Sequence, residues 1–142
     1  MVTVQQIYDM AIHMMDEQDE STGATETADT KEYKLRTVSI LNSLIPALLP
    51  YSADNYDPAA NRMVPPRLAA EDHADPDFTQ PVPLDDILCL GVAPFYLAAQ
   101  LLSGENEDLA AWFMERYLEV FQDLRHKVPA DFEPIRPVYG LF

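Results

Sequence analysis

"DDILCLGVAPFYLAAQLLSGENEDLAAWFMERYLEVF", residues 85–121, decides the fold. From Ile87 to Gly104 no side chain is charged, and beyond Gly104 charges return at regular spacing. A helix that is apolar nearly all round is buried in protein or in lipid. A lipid span asks for roughly 20 apolar residues. This run is shorter, contains Pro94, Gln100 and Ser103, and has no flanking base to anchor it. It reads as a helix buried in protein. Ile87, Leu88, Gly91, Phe95, Ala98, Ala99 and Leu102 share one face. Pro83 suits a first helical turn, and Asp85 and Asp86 suit the positive end of the helix dipole. An interior proline costs on the order of 3 kcal/mol, so the pattern predicts one helix over 84–102, kinked at Pro94. Gly91 is placed to let a neighbour approach closely.

The turn "SGENED" leads into a second helix. Leu109, Trp112, Phe113, Tyr117, Val120, Phe121 and Leu124 recur at steps of three and four, which predicts an amphipathic helix over 107–127. Acids at its start and Arg125, His126 and Lys127 at its end suit the dipole. A turn this short predicts an antiparallel hairpin at the centre of the fold. Leu88, Phe95, Leu102, Trp112 and Phe121 are its expected buried anchors.

Two more helices are expected upstream. "TVQQ" puts Thr3 three residues before Gln6, a capping-box spacing. Ile7, Met10, Ala11, Met14 and Met15 then follow at helical spacing, giving a helix near 4–17. The next residues, "DEQDESTGATETADT", are too poor in apolar side chains to pack. Tyr33, Val38, Leu41, Leu44, Ile45 and Leu48 form the stripe of a helix near 31–49, with Pro46 kinking it or marking its last turns. Residues 50–83 are irregular and proline-rich. A loop of that length is functional, disordered or braced by a partner. The sequence thus predicts a single all-α domain over 1–142, bundle-like, with a central helical hairpin, one long irregular loop and an extended tail over 128–142.

Composition narrows the function classes. The formal net charge is −15, from 24 acids against 9 bases. Such a surface repels phosphate backbones and anionic membranes, so direct nucleic-acid and membrane partners are not expected. Cys89, the one cysteine, forms no intramolecular disulfide and reads as a small buried hydrophobe. The start "MVTVQQIYDM" has no basic region and no small-residue cleavage site, which argues against a signal peptide and for a reducing cytoplasm.

Chemistry-bearing patterns are few. His13, His73 and His126 are scattered, and no nucleophile or phosphate loop is recognisable. Glu17 and Glu20 are three apart, and Glu115, Glu119 and Asp123 form a ladder. Paired carboxylates on facing helices hold magnesium in helical nucleotide pyrophosphohydrolases. Here a solvated face accounts for both groups. The expectation is therefore no enzyme, no catalytic residue, no metal site and no cofactor. The tail carries Phe132, Ile135, Val138, Tyr139, Leu141 and Phe142, with Pro134 and Pro137 preventing a helix. These are the candidate interface residues, packing along their own domain or on a neighbouring subunit.

The phrase "APFYLAAQLLSGENEDLAAWFMERYLEVFQDLR" resembles small structural proteins of tailed bacteriophages and prophages. The matching residues are Tyr96 to Leu102, Glu105 to Asp108, and Trp112, Phe113, Arg116 and Tyr117. "RTVSILNSLIPALLPYS", Arg36 to Ser52, resembles the second helix of such proteins. The resemblance covers about half the chain and is a packing pattern rather than a catalytic motif. It implies a head–tail connector subunit, made in the host cytoplasm and ending in the virion. Its implied partners are portal or tail proteins, or further copies in a ring. A small magnesium-dependent hydrolase and an acidic host-directed inhibitor are the alternative readings.

Overall fold

The computed structural model describes residues 1–17, 19–60, 64–70 and 75–127, with backbone alone for 126 and 127. The described residues are helical, in the order α1 (Val4–Met15), α2 (Lys31–Leu48), α3 (Asp86–Gly91), α4 (Ala93–Leu102) and α5 (Glu107–Lys127). A short 3₁₀ turn, Leu49–Tyr51, extends α2. An isolated antiparallel bridge joins Thr3 to Pro81. The fold class is all-α, as the sequence predicts.

Local chemistry explains the helix ends. Thr3 caps α1 through its side chain, and the Gln6 side chain accepts in return from the Thr3 amide at 2.9 Å. This is the capping box expected from "TVQQ". The helix stops at Met15 rather than at residue 17, because Asp16 turns into the left-handed region at φ 59°. Two orphan carbonyls, those of His13 and Ile12, are satisfied there by the amides of Asp16 and Glu17. The buried face of α1 is Val4, Ile7, Tyr8, Ala11, Ile12 and Met15. Tyr8 and Ile12 belong to it, while Met10 stands exposed.

α2 buries every member of its predicted stripe, together with Thr37. Pro46 lies inside the helix, which continues two residues beyond it. The missing donor is tolerated because it falls in the last turns, close to where the ladder would end.

The single helix expected over 84–102 is two helices, separated at Val92 (φ −125°, ψ −50°). Pro94 explains the break. Inside a continuous helix its ring would clash with the carbonyl four residues back and remove a hydrogen bond. With the break at Val92, Pro94 falls in the first turn of α4, where no amide donor is required. Pro83 is likewise not in a helical turn, since α3 begins at Asp86. The division also turns the short α3 outward. Leu88 and Cys89 remain buried, but Ile87 is 57% and Leu90 40% exposed.

α4 is the centre of the fold. It contacts α1, α2, α3 and α5, and Leu97, Ala98 and Leu101 have no exposed surface. α5 returns antiparallel to it. The ring of Tyr96 lies 5.2 Å from that of Tyr117, while Leu124, two turns further along α5, reaches back to Gly91. Advancing along α5 therefore means retreating along α4 and α3. Phe113 and Tyr117 are buried, and Leu109, Val120, Phe121 and Leu124 pack partly against the core. Trp112 does not. It is 51% exposed, with its indole edge-on to Phe113. Phe95 and Phe121 are only partly buried.

The irregular segments are held down one anchor at a time. The amide of Gln5 donates to the Phe78 carbonyl at 2.9 Å, and the amide of Val82 to the Val2 carbonyl at 2.8 Å. The Phe78 ring packs edge-on against Tyr8. Asn42 on α2 clamps Leu68, accepting from its amide at 2.7 Å and donating to its carbonyl at 3.1 Å. The stretch after α1, too polar to make a core, is fixed by hydrogen bonds instead. Thr30 is buried and donates to the Thr25 carbonyl at 2.7 Å, and the Thr25 hydroxyl donates to Asp9 at 2.6 Å.

Candidate functional site

The candidate interface residues Phe132, Ile135, Val138, Tyr139, Leu141 and Phe142 lie outside the described residues. Three surfaces within the described residues bear on function.

The first is polar and sits where α2 meets the α4–α5 turn. The Arg36 guanidinium donates to the carbonyls of Gln100 at 3.0 Å and Leu101 at 3.4 Å, capping the negative end of α4. One turn earlier, the Tyr33 hydroxyl donates to the Glu105 carboxylate. Burial, and then that hydrogen bond, raises the Tyr33 hydroxyl well above the ordinary phenol value. Glu17 lies near the same corner. Partial desolvation raises its carboxyl, and the charges of Glu105, Asp29 and Asp16 add to the effect. These groups lock the hairpin turn to α2. No local sequence signal announces the Arg36 contact, whose partner is 64 positions away.

The second surface is the outer side of α5. Glu115, Glu119 and Asp123 are exposed there, and Arg116 pairs with Glu119 at 2.6 Å. Glu20 is exposed in the loop after α1. Neighbouring charges that raise Glu17 come from Glu105, Asp29 and Asp16, not from this ladder. Among the described residues no group of three or more His, Cys, Asp or Glu side chains is placed to hold a metal ion. Trp112, one turn from Arg116, adds a half-exposed indole to this acidic side.

The third is the outer face of α3, where Ile87 and Leu90 stand in the open beside Gly91. Behind them, Cys89 is fully buried. Burial, with Asp86 and Asp85 nearby, pushes its thiol up to about 12, so it is neither a nucleophile nor a ready ligand. Asp85 is committed to structure. Its carboxylate accepts from the Ser52 hydroxyl at 2.8 Å, the amides of Ala53 at 2.8 Å and Asp54 at 3.2 Å, and the Asn55 side chain at 3.1 Å. A hollow of about 430 Å³ beside it, lined by Met1, Asp54, Asn55, Leu84, Asp85 and Asp86, shares that spent carboxylate.

No helix of the described residues is long and apolar enough to cross a membrane. The chain matches no protein-family model, no curated protein and no solved structure.

Proposed function

We propose that the protein is a non-enzymatic structural or assembly subunit of a tailed phage or prophage particle, of the head–tail connector kind, acting through protein–protein contacts. The observation that supports this reading is the division of the motif Trp112, Phe113, Arg116 and Tyr117. Phe113 and Tyr117 face the core, whereas Trp112 is left half in water, with Arg116 partly exposed one turn on. Trp and Arg are the residues most enriched at the energetic centres of interfaces. A half-exposed Trp on a surface otherwise charged to −15 is a costly ornament unless a partner covers it. In this reading the segment from Phe132 to Phe142 supplies further contacts in the assembled particle. Its partners are portal or tail proteins or further copies of itself. The subunit is made in the host cytoplasm and carried into the virion.

Light scattering on the purified chain, at low and high salt, tests the reading. The expected result is a monomer or weak oligomer at low salt, because like-charged subunits repel, and a larger closed assembly when salt screens the charge. Trp112→Asp should prevent that assembly. An unchanging monomer, together with magnesium-dependent hydrolysis of nucleoside triphosphates that Glu119→Gln abolishes, would replace this reading with the hydrolase one.

A further inference from the structure

The outer face of α3 is apolar, and the chain that leaves α5 starts beside it. On a helix, successive residues are rotated by about 100°, so Ile87, Leu90 and Gly91 fall within one sector about 100° wide. Its inner neighbours Leu88 and Cys89 are buried, while Ile87 and Leu90 are the exposed pair. Leu124 of α5 marks the edge of this sector, since its Cδ1 lies 3.6 Å from the point where Gly91 would carry a Cβ. α5 runs antiparallel to this part of the chain, so the turn from Leu124 to Lys127 heads from Gly91 towards Ile87. Ile87 is one helical turn, about 5.4 Å, from Gly91.

Beyond Lys127 the sequence reads "VPADFEPIRPVYGLF". Pro129 disfavours helical geometry at Val128 and offers no amide of its own, so α5 is not extended by this sequence. From Lys127 to Phe132 is five residue steps, up to roughly 16 Å of extended chain, ample to pass over Ile87. The segment holds large apolar side chains and no helical period of its own with which to bury them.

We propose that in the free subunit the segment 132–142 docks on the α3 face formed by Ile87, Leu90 and Gly91 of its own chain. Two arguments select the chain's own segment over that of a second copy. A short tether holds the local concentration of the segment on the order of millimolar. A second copy must also bring its charge of −15 against the same charge. The inference goes beyond the connector reading and stands independently of it.

Thiol labelling of Ile87→Cys in the full chain tests it, using N-ethylmaleimide. The native Cys89 is buried and stays silent. A second variant adds Phe132→Asp and Ile135→Asp, which lie outside the core described above. The expected result is labelling about tenfold faster in the second variant, from loss of the apolar cover. The rate in the first should not change on dilution. Equal rates in the two variants would overturn the proposal. A rate that climbs on dilution would assign the cover to a second copy and overturn it equally. Val64→Cys, on an exposed position, should label alike with and without the tail substitutions. Acceleration there as well would mean general loosening, and would also remove the proposal.

Discussion

Arg36 on α2 donates to the carbonyl of Gln100 at 3.0 Å, so a side chain of one helix caps the C-terminal end of another. Gln100 and Leu101 would otherwise present unpaired carbonyls at the negative end of α4. Glu32, 3.8 Å away and one turn back, helps hold the guanidinium. Arg36→Ala should lower unfolding stability by about 1–2 kcal/mol, the range for a charge-assisted hydrogen bond on a partly exposed group. Arg36→Lys should recover little of it, because a single ammonium cannot span two carbonyls in the same fork. Urea unfolding followed by circular dichroism measures both, and full recovery by Lys would refute the two-carbonyl cap.

Leu97 and Trp112 should respond to truncation in opposite proportion to their size. Leu97 has no exposed surface, and Leu97→Ala should cost about 2–5 kcal/mol through lost burial and the cavity left behind. Trp112 is the larger side chain but stands 51% exposed, so Trp112→Ala should cost about 1 kcal/mol in the isolated protein. Its fluorescence, arising from the chain's one tryptophan, should be red-shifted in the native state. A blue emission maximum, or a Trp112→Ala penalty equal to that of Leu97→Ala, would contradict the exposed placement.

The Asp85 carboxylate organises the turn that follows α2. It accepts four hydrogen bonds from Ser52, Ala53, Asp54 and Asn55, and Ser52 is fully buried. Asp85→Ala should cost about 1–3 kcal/mol, because a buried hydroxyl and nearby amides lose their acceptor. Asp85→Asn keeps one acceptor oxygen and should fall between. Hydrogen exchange at the amides of Ala53 and Asp54 provides the local readout, and unchanged protection in Asp85→Ala would show that the turn stands without the carboxylate.

Glu17 makes stability depend on pH in an unusual sense for a carboxylate. Its folded value lies above the ordinary 4.5, so the folded chain holds that proton more tightly than the unfolded one. The resulting stabilisation is fully present below 4.5 and is lost as pH rises through the raised folded value. Glu17→Gln should therefore raise the melting temperature at neutral pH, and the difference should vanish well below 4.5. Asp19 and Asp77 act in the opposite direction. Hydrogen bonds from the hydroxyls of Ser21 and Thr79, respectively, lead in holding them below the ordinary value of 3.8. Their contribution is present above that value and lost as acid protonates them. Glu17→Gln melting no higher than wild type at neutral pH would show that Glu105, Asp29 and Asp16 do not strain it.

The sequence by itself determined the helices, the cap at Thr3, the stripe of α2 and the burial of Cys89. These follow from periodicity, from local hydrogen bonding and from the scarcity of charge between Ile87 and Gly104, all of which act over a turn or two of chain. Only the tertiary structure decided that Val92 divides the third helix, because a kink and a break at Pro94 have the same sequence signature. It also decided which side of α5 faces the core. Trp112 and Phe113 fit the apolar spacing equally well, and the position of α4 puts Phe113 inside and Trp112 in water. The anchoring of Phe78 under Tyr8, and of Leu68 on Asn42, was invisible for a related reason. Single apolar residues in an irregular segment have no period to announce them, and their partners lie on helices far away in sequence. The candidate interface at Phe132 to Phe142 was read from composition alone, since a proline-stiffened apolar segment with no helical period cannot bury itself.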